Sequence, residues 1–351
     1  MKLLIITQKV DDHDDVLGFF VRWIEEFAKH AEKVTVICLQ KGTYNLPNNV
    51  TVLSLGKEER KGRMTYIARF YRYIWNERGN YDAVFVHMNP IYIVLGGVFW
   101  KLWSKKIALW YTHKQVDLKL RIAEKFSDII FTASAKSFRL KSDKVHVVGH
   151  GIDMERFHPV AKEPHKKLNI ISVSRIAPVK NIHIMIDAAE ILKKDGILFE
   201  MKIVGAPITD ADKIYFSQLE KEVQEKKLSG RVFFVGAIPY KNIPAFYQSG
   251  DLFLNLSKTG SLDKAVLEAM ASGVNVLTSN EAFFEMLPRH NVLRNFSAPA
   301  LVEQIQFLIK NKTDTMMLRE IIAKNHNVLG LIKNIYTKTE SINLAGISSA
   351  E

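Results

Sequence analysis

The sequence predicts an α/β fold made of doubly wound parallel sheets and divided into two domains. Three observations carry this reading. Short β-type runs alternate with amphipathic helical stretches, as they do where crossover helices join parallel strands. Residues 251–278 read as one complete strand, loop, helix and strand unit. The chain has 351 residues, 47% of them apolar, which is enough for two cores of ordinary size.

In the first half the β-type runs are Lys2–Thr7, Lys33–Leu39, Val50–Leu55, Ala83–His87, Ile107–Thr112, Ile129–Thr132 and Val145–Val148, with helical stretches such as Gly18–His30 and Thr65–Glu77 between them. Ligands of such sheets bind beyond the carboxyl ends of the strands. Gln8–Gly18, His87–Pro90 and His113–Gln115 are therefore expected to face one crevice. No Gly-x-Gly-x-x-Gly follows the first strand, which argues against a dinucleotide-binding oxidoreductase. That loop carries Asp11, Asp12, His13, Asp14 and Asp15 instead, read as solvated side chains and not as a metal site.

The segment His150-Gly-Ile-Asp-Met-Glu-Arg-Phe-His-Pro159 supplies a Gly turn and a Pro that ends regular structure, so it reads as a domain linker. The second domain then runs through the strand Leu168–Ser174, the loop Arg175-Ile-Ala-Pro-Val-Lys180, the helix Asn181–Lys194 and the strand Glu200–Gly205. A loop at Ala206–Asp212, a charged helix through Gln218–Lys227 and the strand Val232–Gly236 come next. Asp251–Leu256 reads as a buried strand, 257–261 as a small-residue loop, 262–272 as a helix and Val274–Thr278 as the following strand. A helix opening from a Thr-Gly-Ser loop points unpaired N–H groups outward, which suits phosphate. Residues 298–337 read as helical, with a last helix around Asn325–Tyr336 and a polar, frayed tail at Lys338–Glu351.

Within the 262–272 helix, Leu267-Glu-Ala-Met-Ala-Ser-Gly273 resembles the nucleotide-sugar motif of retaining family-4 glycosyltransferases, the glycosyl transferases group 1, which have the GT-B fold. His150–Pro159 is similar to the family's domain junction, and Arg175 through Lys180 to its Gly-Arg-Leu-x-x-x-Lys-Gly element. The resemblance implies two Rossmann-like domains facing a central cleft: an acceptor domain at 1–160, a donor domain at 161–325, and a helix returning to the first domain within 326–351. It implies that Glu268 binds the nucleotide ribose and that Arg175 and Lys180 hold the donor diphosphate. Gly260, Ser261 and Leu262 would be backbone donors, the backbone at Ile238 would meet the nucleobase, and His113 would lie near the reacting carbon. A second family Glu, facing the donor sugar, falls at Gly260 here, which leaves Asp263, Lys264 or Lys258 to meet the sugar hydroxyls. Of the family's glycine-rich acceptor loop only Gly18 remains. His87, ending a strand, is a second cleft candidate.

The activity that the resemblance implies is that of a retaining, metal-independent transferase. Its partners would be a nucleotide-sugar co-substrate and a glycan or lipid-linked acceptor, with no cofactor. Rival readings are a nucleotide-binding protein that has lost catalysis, and an epimerase or phosphorylase on the same fold. The net charge is +12; Lys57 to Lys144 holds eighteen basic against eight acidic residues, a local excess of +10 that calls for an anionic partner. Nucleic acid is disfavoured because no recognition module is present. Arg60–Trp75 interleaves base and aromatic at helical spacing, and Trp100, Lys101, Trp103, Lys105 and Lys106 form a second such cluster, so an anionic membrane surface is a candidate partner. The longest apolar run, Ile91–Trp100, is too short to span a bilayer. The single Cys38 excludes an internal disulfide and fits the cytoplasm, with attachment at the inner membrane face as the peripheral option.

Overall fold

The computed structural model describes residues 1–163, 166–258, 260–311 and 313–342, which form two units: 1–151 with 326–342, and 152–325. The polar tail beyond Ile342, and Thr259 of the 257–261 loop, lie outside the described residues.

The first unit contains β1 (Leu3–Val10), α1 (Phe19–His30), β2 (Val34–Lys41), β3 (Val50–Ser54), α2 (Arg63–Asn76), β4 (Ala83–His87), α3 (Ile91–Leu102), β5 (Lys106–Trp110), α4 (Leu118–Phe126), β6 (Ile129–Thr132) and β7 (Val145–Val147). The strands form one sheet in the order β3-β2-β1-β4-β5-β6-β7, all neighbours parallel. The first four positions of β1 are apolar on both faces because helices cover both faces of the sheet: Leu3, Leu4, Ile5 and Ile6 are all buried. The chain reverses its order between β1 and β4, so the loops after those strands flank the point where such sheets bind ligands.

The second unit contains β8 (Leu168–Val173), α5 (Ile182–Lys194), β9 (Phe199–Val204), α6 (Asp210–Glu225), β10 (Val232–Gly236), α7 (Ile243–Ser249), β11 (Leu252–Asn255), α8 (Lys264–Ala271), β12 (Asn275–Thr278), α9 (Ala298–Lys310) and α10 (Thr315–Asn325). Its parallel sheet has the order β10-β9-β8-β11-β12, with the reversal between β8 and β11. The core lies between the sheet and α5, α6 and α9, around Ile170, Met185, Ile186, Met201, Leu254 and Ile305. α11 (Val328–Glu340) belongs to the first unit, where it packs on α1. Tyr336 joins it to the start of β1 by accepting from the Met1 amino group at 3.0 Å.

Some boundaries differ from the sequence reading for identifiable reasons. The expected loop to Asp212 is shorter, because Thr209 caps α6 reciprocally with Asp212 and starts the helix at Asp210. The helix expected to fray from Lys338 continues to Glu340, where Thr339 donates to the carbonyl of Ile335. α8 begins at Lys264 and not at residue 262, because Asp263 has an extended backbone and forms its N-cap, with the carboxylate turned to Asn255 and Asn280.

Candidate functional site

In the second unit the reversal between β8 and β11 places the loop after β8, residues 174–181, beside the loop after β11, residues 256–263. Hydrogen bonds staple these loops together. Asn181, in a left-handed conformation that Asn tolerates (φ +50°), donates through its side-chain amide to the carbonyl of Leu256 at 2.7 Å. The Lys180 ammonium lies 3.2 Å from Ser257 Oγ and 3.4 Å from the Asp263 carboxylate. Asp263 Oδ2 also accepts from the side-chain amides of Asn255 at 3.1 Å and Asn280 at 3.2 Å. The same Asn280 amide donates to the carbonyl of Ser261 at 2.7 Å. A cation is thus held at the switch point by a carboxylate that is itself held by two amides.

Asp263 therefore positions Lys180 through Oδ1 and is itself held by Asn255 and Asn280 through Oδ2, so that any sugar hydroxyl it meets must share Oδ1 with Lys180. Gly260 has φ +63°, a left-handed backbone that the family's glutamate would adopt only under strain. Leu262 is buried, Ser261 half-buried, and Ile238 is half-buried in the loop after β10.

Glu268 is one turn further along α8 and only 5% exposed. Tyr240 donates to one carboxylate oxygen at 3.0 Å and Tyr247 to the other at 3.0 Å. The Lys264 ammonium, one helical turn earlier, donates to the oxygen that Tyr240 uses and also lies 2.8 Å from the Tyr240 hydroxyl. Burial holds the Lys264 pKa below its usual value, opposed by the charge of Glu268, and the two phenols are held well above theirs by burial and by the same carboxylate. Phe157 packs edge-on against both tyrosines, with ring centroids 5.8 Å apart in each case. The common reading of a helical Glu as solvated does not apply here. Tyr240, Tyr247, Asn255 and Asn280 were not found as site residues from the sequence. The i, i+4 spacing of Lys264 and Glu268 was the one local signal available for this network.

Arg175 follows β8 and is half-exposed, its guanidinium 3.9 Å from Asp212. The backbone it sits on depends on Gly205. Gly205 has φ +137°, and a Cβ there would lie 1.9 Å from the Ser174 carbonyl oxygen. Gly205→Ala is therefore expected to cost about 3 kcal/mol, the upper end of the usual strain for a backbone forced into a disfavoured region. Urea unfolding checks this, and a loss below about 0.5 kcal/mol would show that the 174–175 loop yields freely.

In the first unit the crevice candidates separate. His87 is 2% exposed, stacks on Phe20 with ring centroids 4.0 Å apart, and lies 3.3 Å from Thr7 Oγ1. Burial lowers its pKa to about 3, so it is a neutral core histidine. The expectation that it lines an open face is corrected, because Phe19, Phe20 and Trp23 of α1 close over it. His113 keeps an exposed face beyond β5 and packs edge-on to Tyr111, with its pKa lowered by the protein around it. Gly18 leads into α1 in a right-handed helical conformation. Asp11, Asp12 and His13 could bring three ligand atoms within 4.8 Å of one another, with His13 exposed and the two carboxylates half-buried, and Lys9 already pairs with Asp11 and Asp14.

Known proteins resemble the second unit in sequence and both units in fold. Residues 153–326 match the family model described as glycosyl transferases group 1. This stretch belongs to that family. Relatives in sequence include the amylovoran biosynthesis glycosyltransferase AmsK of Erwinia amylovora, 31% identical over 158 residues, which are 43% of this chain and 37% of that protein. Another is the putative colanic acid biosynthesis glycosyltransferase WcaL of Escherichia coli, 31% identical over 144 residues, 39% of this chain and 34% of that protein. The matches thus span little more than a third of these relatives. Among solved structures, Anabaena Alr3699/HepE, in complex with UDP, superposes with a TM-score of 0.76 at 16% identity, covering 97% of this chain and all of that one. Sucrose-phosphate synthase of Thermosynechococcus elongatus gives 0.73 at 16% identity, covering 97% and 98%. At such identities the likeness establishes the GT-B fold, and the group 1 domain contributes its second Rossmann-like unit.

Proposed function

We propose that the protein is a retaining, metal-independent glycosyltransferase that moves a sugar from a nucleoside-diphosphate donor to a glycan or lipid-linked acceptor, in the manner of family 4. The observation that carries this is the cation held at the β8/β11 switch point. Lys180 is fixed by Asp263 and Ser257, on the same unit as the buried Glu268 and the loop of Arg175. Arg175 and Lys180 meet the donor diphosphate and the growing charge of the leaving group, and the acceptor attacks from the face the leaving group vacates. Glu268 meets the ribose. One of its oxygens accepts from a single tyrosine, and a carboxylate has room for further donors. The backbones at Ile238, Gly260, Ser261 and Leu262 complete the donor contacts, while His113 lies near the reacting carbon and Gly18 near the acceptor.

The names of AmsK and WcaL, which place them in amylovoran and colanic acid biosynthesis, favour polysaccharide biosynthesis, and UDP is the first nucleotide to test because HepE was solved with it. A lipid-linked acceptor would bring the protein to an anionic membrane surface, for which the basic excess of 57–144 is suited. Among the described residues no helix is long and apolar enough to cross a membrane. The test is release of nucleoside diphosphate from a panel of UDP-, GDP- and ADP-sugars, with and without oligosaccharide and lipid-linked acceptors. Acceptor-dependent release supports the reading. Tight nucleotide binding without any release would favour a protein that has lost catalysis, consistent with the glycine at position 260.

A further inference from the structure

The first unit carries an aromatic cup that the donor chemistry does not use. It is a cavity of about 230 Å³ lined by Tyr71, Ile74 and Trp75 of α2, by Phe99 at the end of α3, and by Trp103 just beyond it. Edge-on and tilted contacts link its rings in a chain, with centroids 5.7 Å apart for Tyr71 and Phe99, 5.7 Å for Phe99 and Trp103, and 5.6 Å for Trp103 and Trp75. A volume below the roughly 300–1,000 Å³ of pockets that enclose a whole ligand suits part of an apolar chain. The cup opens on an apolar surface: Trp75 is 52% exposed, Leu102 74% and Met64 78%, with Ile67 and Val98 also exposed.

The surroundings are cationic. From Arg60 to Lys106 there are nine basic residues and two acidic ones. Glu59 neutralises Arg69, and Asp128 pairs with Lys101. Arg60, Lys61, Arg63, Arg72 and Arg78 are exposed and make no ion pair among the described residues. Arg78 lies over the Trp75 ring at 4.7 Å, so charge sits at the rim of the cup itself. Tryptophan and arginine around an open apolar hollow are the chemistry of a lipid headgroup boundary. Part of the sequence expectation is corrected here: Trp100 is fully buried, its indole N–H donating to the Tyr81 hydroxyl at 3.1 Å, so it belongs to the core and not to this face.

We propose that this cup takes an acyl chain of an anionic bilayer lipid, with Arg72, Arg78 and the basic segment before α2 on the headgroups, and so fixes the α2/α3 face on the membrane. The proposal rests on the membrane association proposed for a lipid-linked acceptor and is independent of the donor site. Tryptophan positions make it directly testable. Of the five tryptophans, Trp23, Trp100 and Trp110 are fully buried, so a quencher inside the bilayer reports Trp75 and Trp103.

The experiment adds the full chain to phosphatidylcholine vesicles with and without 30% phosphatidylglycerol, at low salt, with acyl chains either plain or brominated at mid-chain. Bromine is expected to quench roughly half of the emission that a Trp75→Phe/Trp103→Phe variant lacks, only in the anionic vesicles and decreasingly as salt is added. Trp103→Asp should weaken co-sedimentation at least tenfold while leaving the thermal midpoint and nucleotide-sugar turnover unchanged. Sedimentation without quenching would overturn the cup and leave a purely electrostatic membrane contact. No sedimentation at low salt would overturn the membrane reading as well, with turnover as the separate check on the transferase. A dimer in light scattering that Trp103→Asp dissociates would show that a second copy covers the face, and would also overturn the proposal.

Discussion

Replacing Lys180 or Arg175 by alanine is expected to lower kcat about a hundredfold, close to 2.7 kcal/mol in the barrier, with a smaller change in donor KM. Charge grows on the diphosphate as the glycosidic bond breaks, so oriented cations stabilise the transition state more than the bound donor. The structure indicates that both variants should fold. Without Lys180, Asp263 still accepts from Asn255 and Asn280. Arg175 is half-exposed, and Asp212 already accepts from the backbone of Ile208 and Thr209. Arg175→Lys should not restore the rate, since a point charge does not copy a planar fork. Steady-state kinetics with the correct donor, alongside circular dichroism, decides this. Wild-type kcat in both folded variants would mean that the diphosphate is held elsewhere.

Glu268→Ala carries the other large effect, and it acts on stability and binding together. The substitution removes the carboxylate that pairs with the buried Lys264 ammonium and accepts from two buried phenols. Breaking a buried pair by removing one partner costs about 3–5 kcal/mol. Glu268→Gln separates the two effects, because its amide oxygen can still accept from a tyrosine. Its expected signature is a smaller loss of stability with nucleotide affinity down roughly 10- to 150-fold, the weight of about 1.5–3 kcal/mol for a hydrogen bond to a charged group. Chemical unfolding measures the first and calorimetry the second. If Glu268→Gln binds nucleotide as the native protein does, Glu268 serves only to hold Lys264, Tyr240 and Tyr247.

The alternation of strands and helices was readable because both sheets are parallel and covered on both faces, which writes each strand as a short apolar run bounded by turns. Leu254 and Val276 lie in such runs, and their strands β11 and β12 pair in the expected unit. The strand and helix on either side of the Arg175–Lys180 loop were readable for the same reason. The contacts that define the site were not. Tyr240 and Tyr247 reach Glu268 across 28 and 21 residues. No local pattern marks a phenol that will be buried beside a carboxylate. His87 stood at the right end of a strand, but whether a side chain there opens to solvent depends on Phe19 and Phe20 of another element. Asp263 was readable as a polar residue near the sugar position, and only the packing of Asn255, Asn280 and Lys180 reveals that it also anchors a cation.

Calorimetric titration of the intact protein with UDP, GDP and ADP tests the central claim most directly, since a switch-point site with a fixed cation and a buried carboxylate should hold a nucleoside diphosphate before any sugar or acceptor is known. One of the three is expected to bind at one site per chain, with Kd between about 1 μM and 1 mM, the range of ordinary substrate affinities. A hundredfold excess over Kd should then add about 2.7 kcal/mol to folding stability. Absence of both heat and stabilisation for all three at millimolar concentration, in a folded protein, would contradict the account.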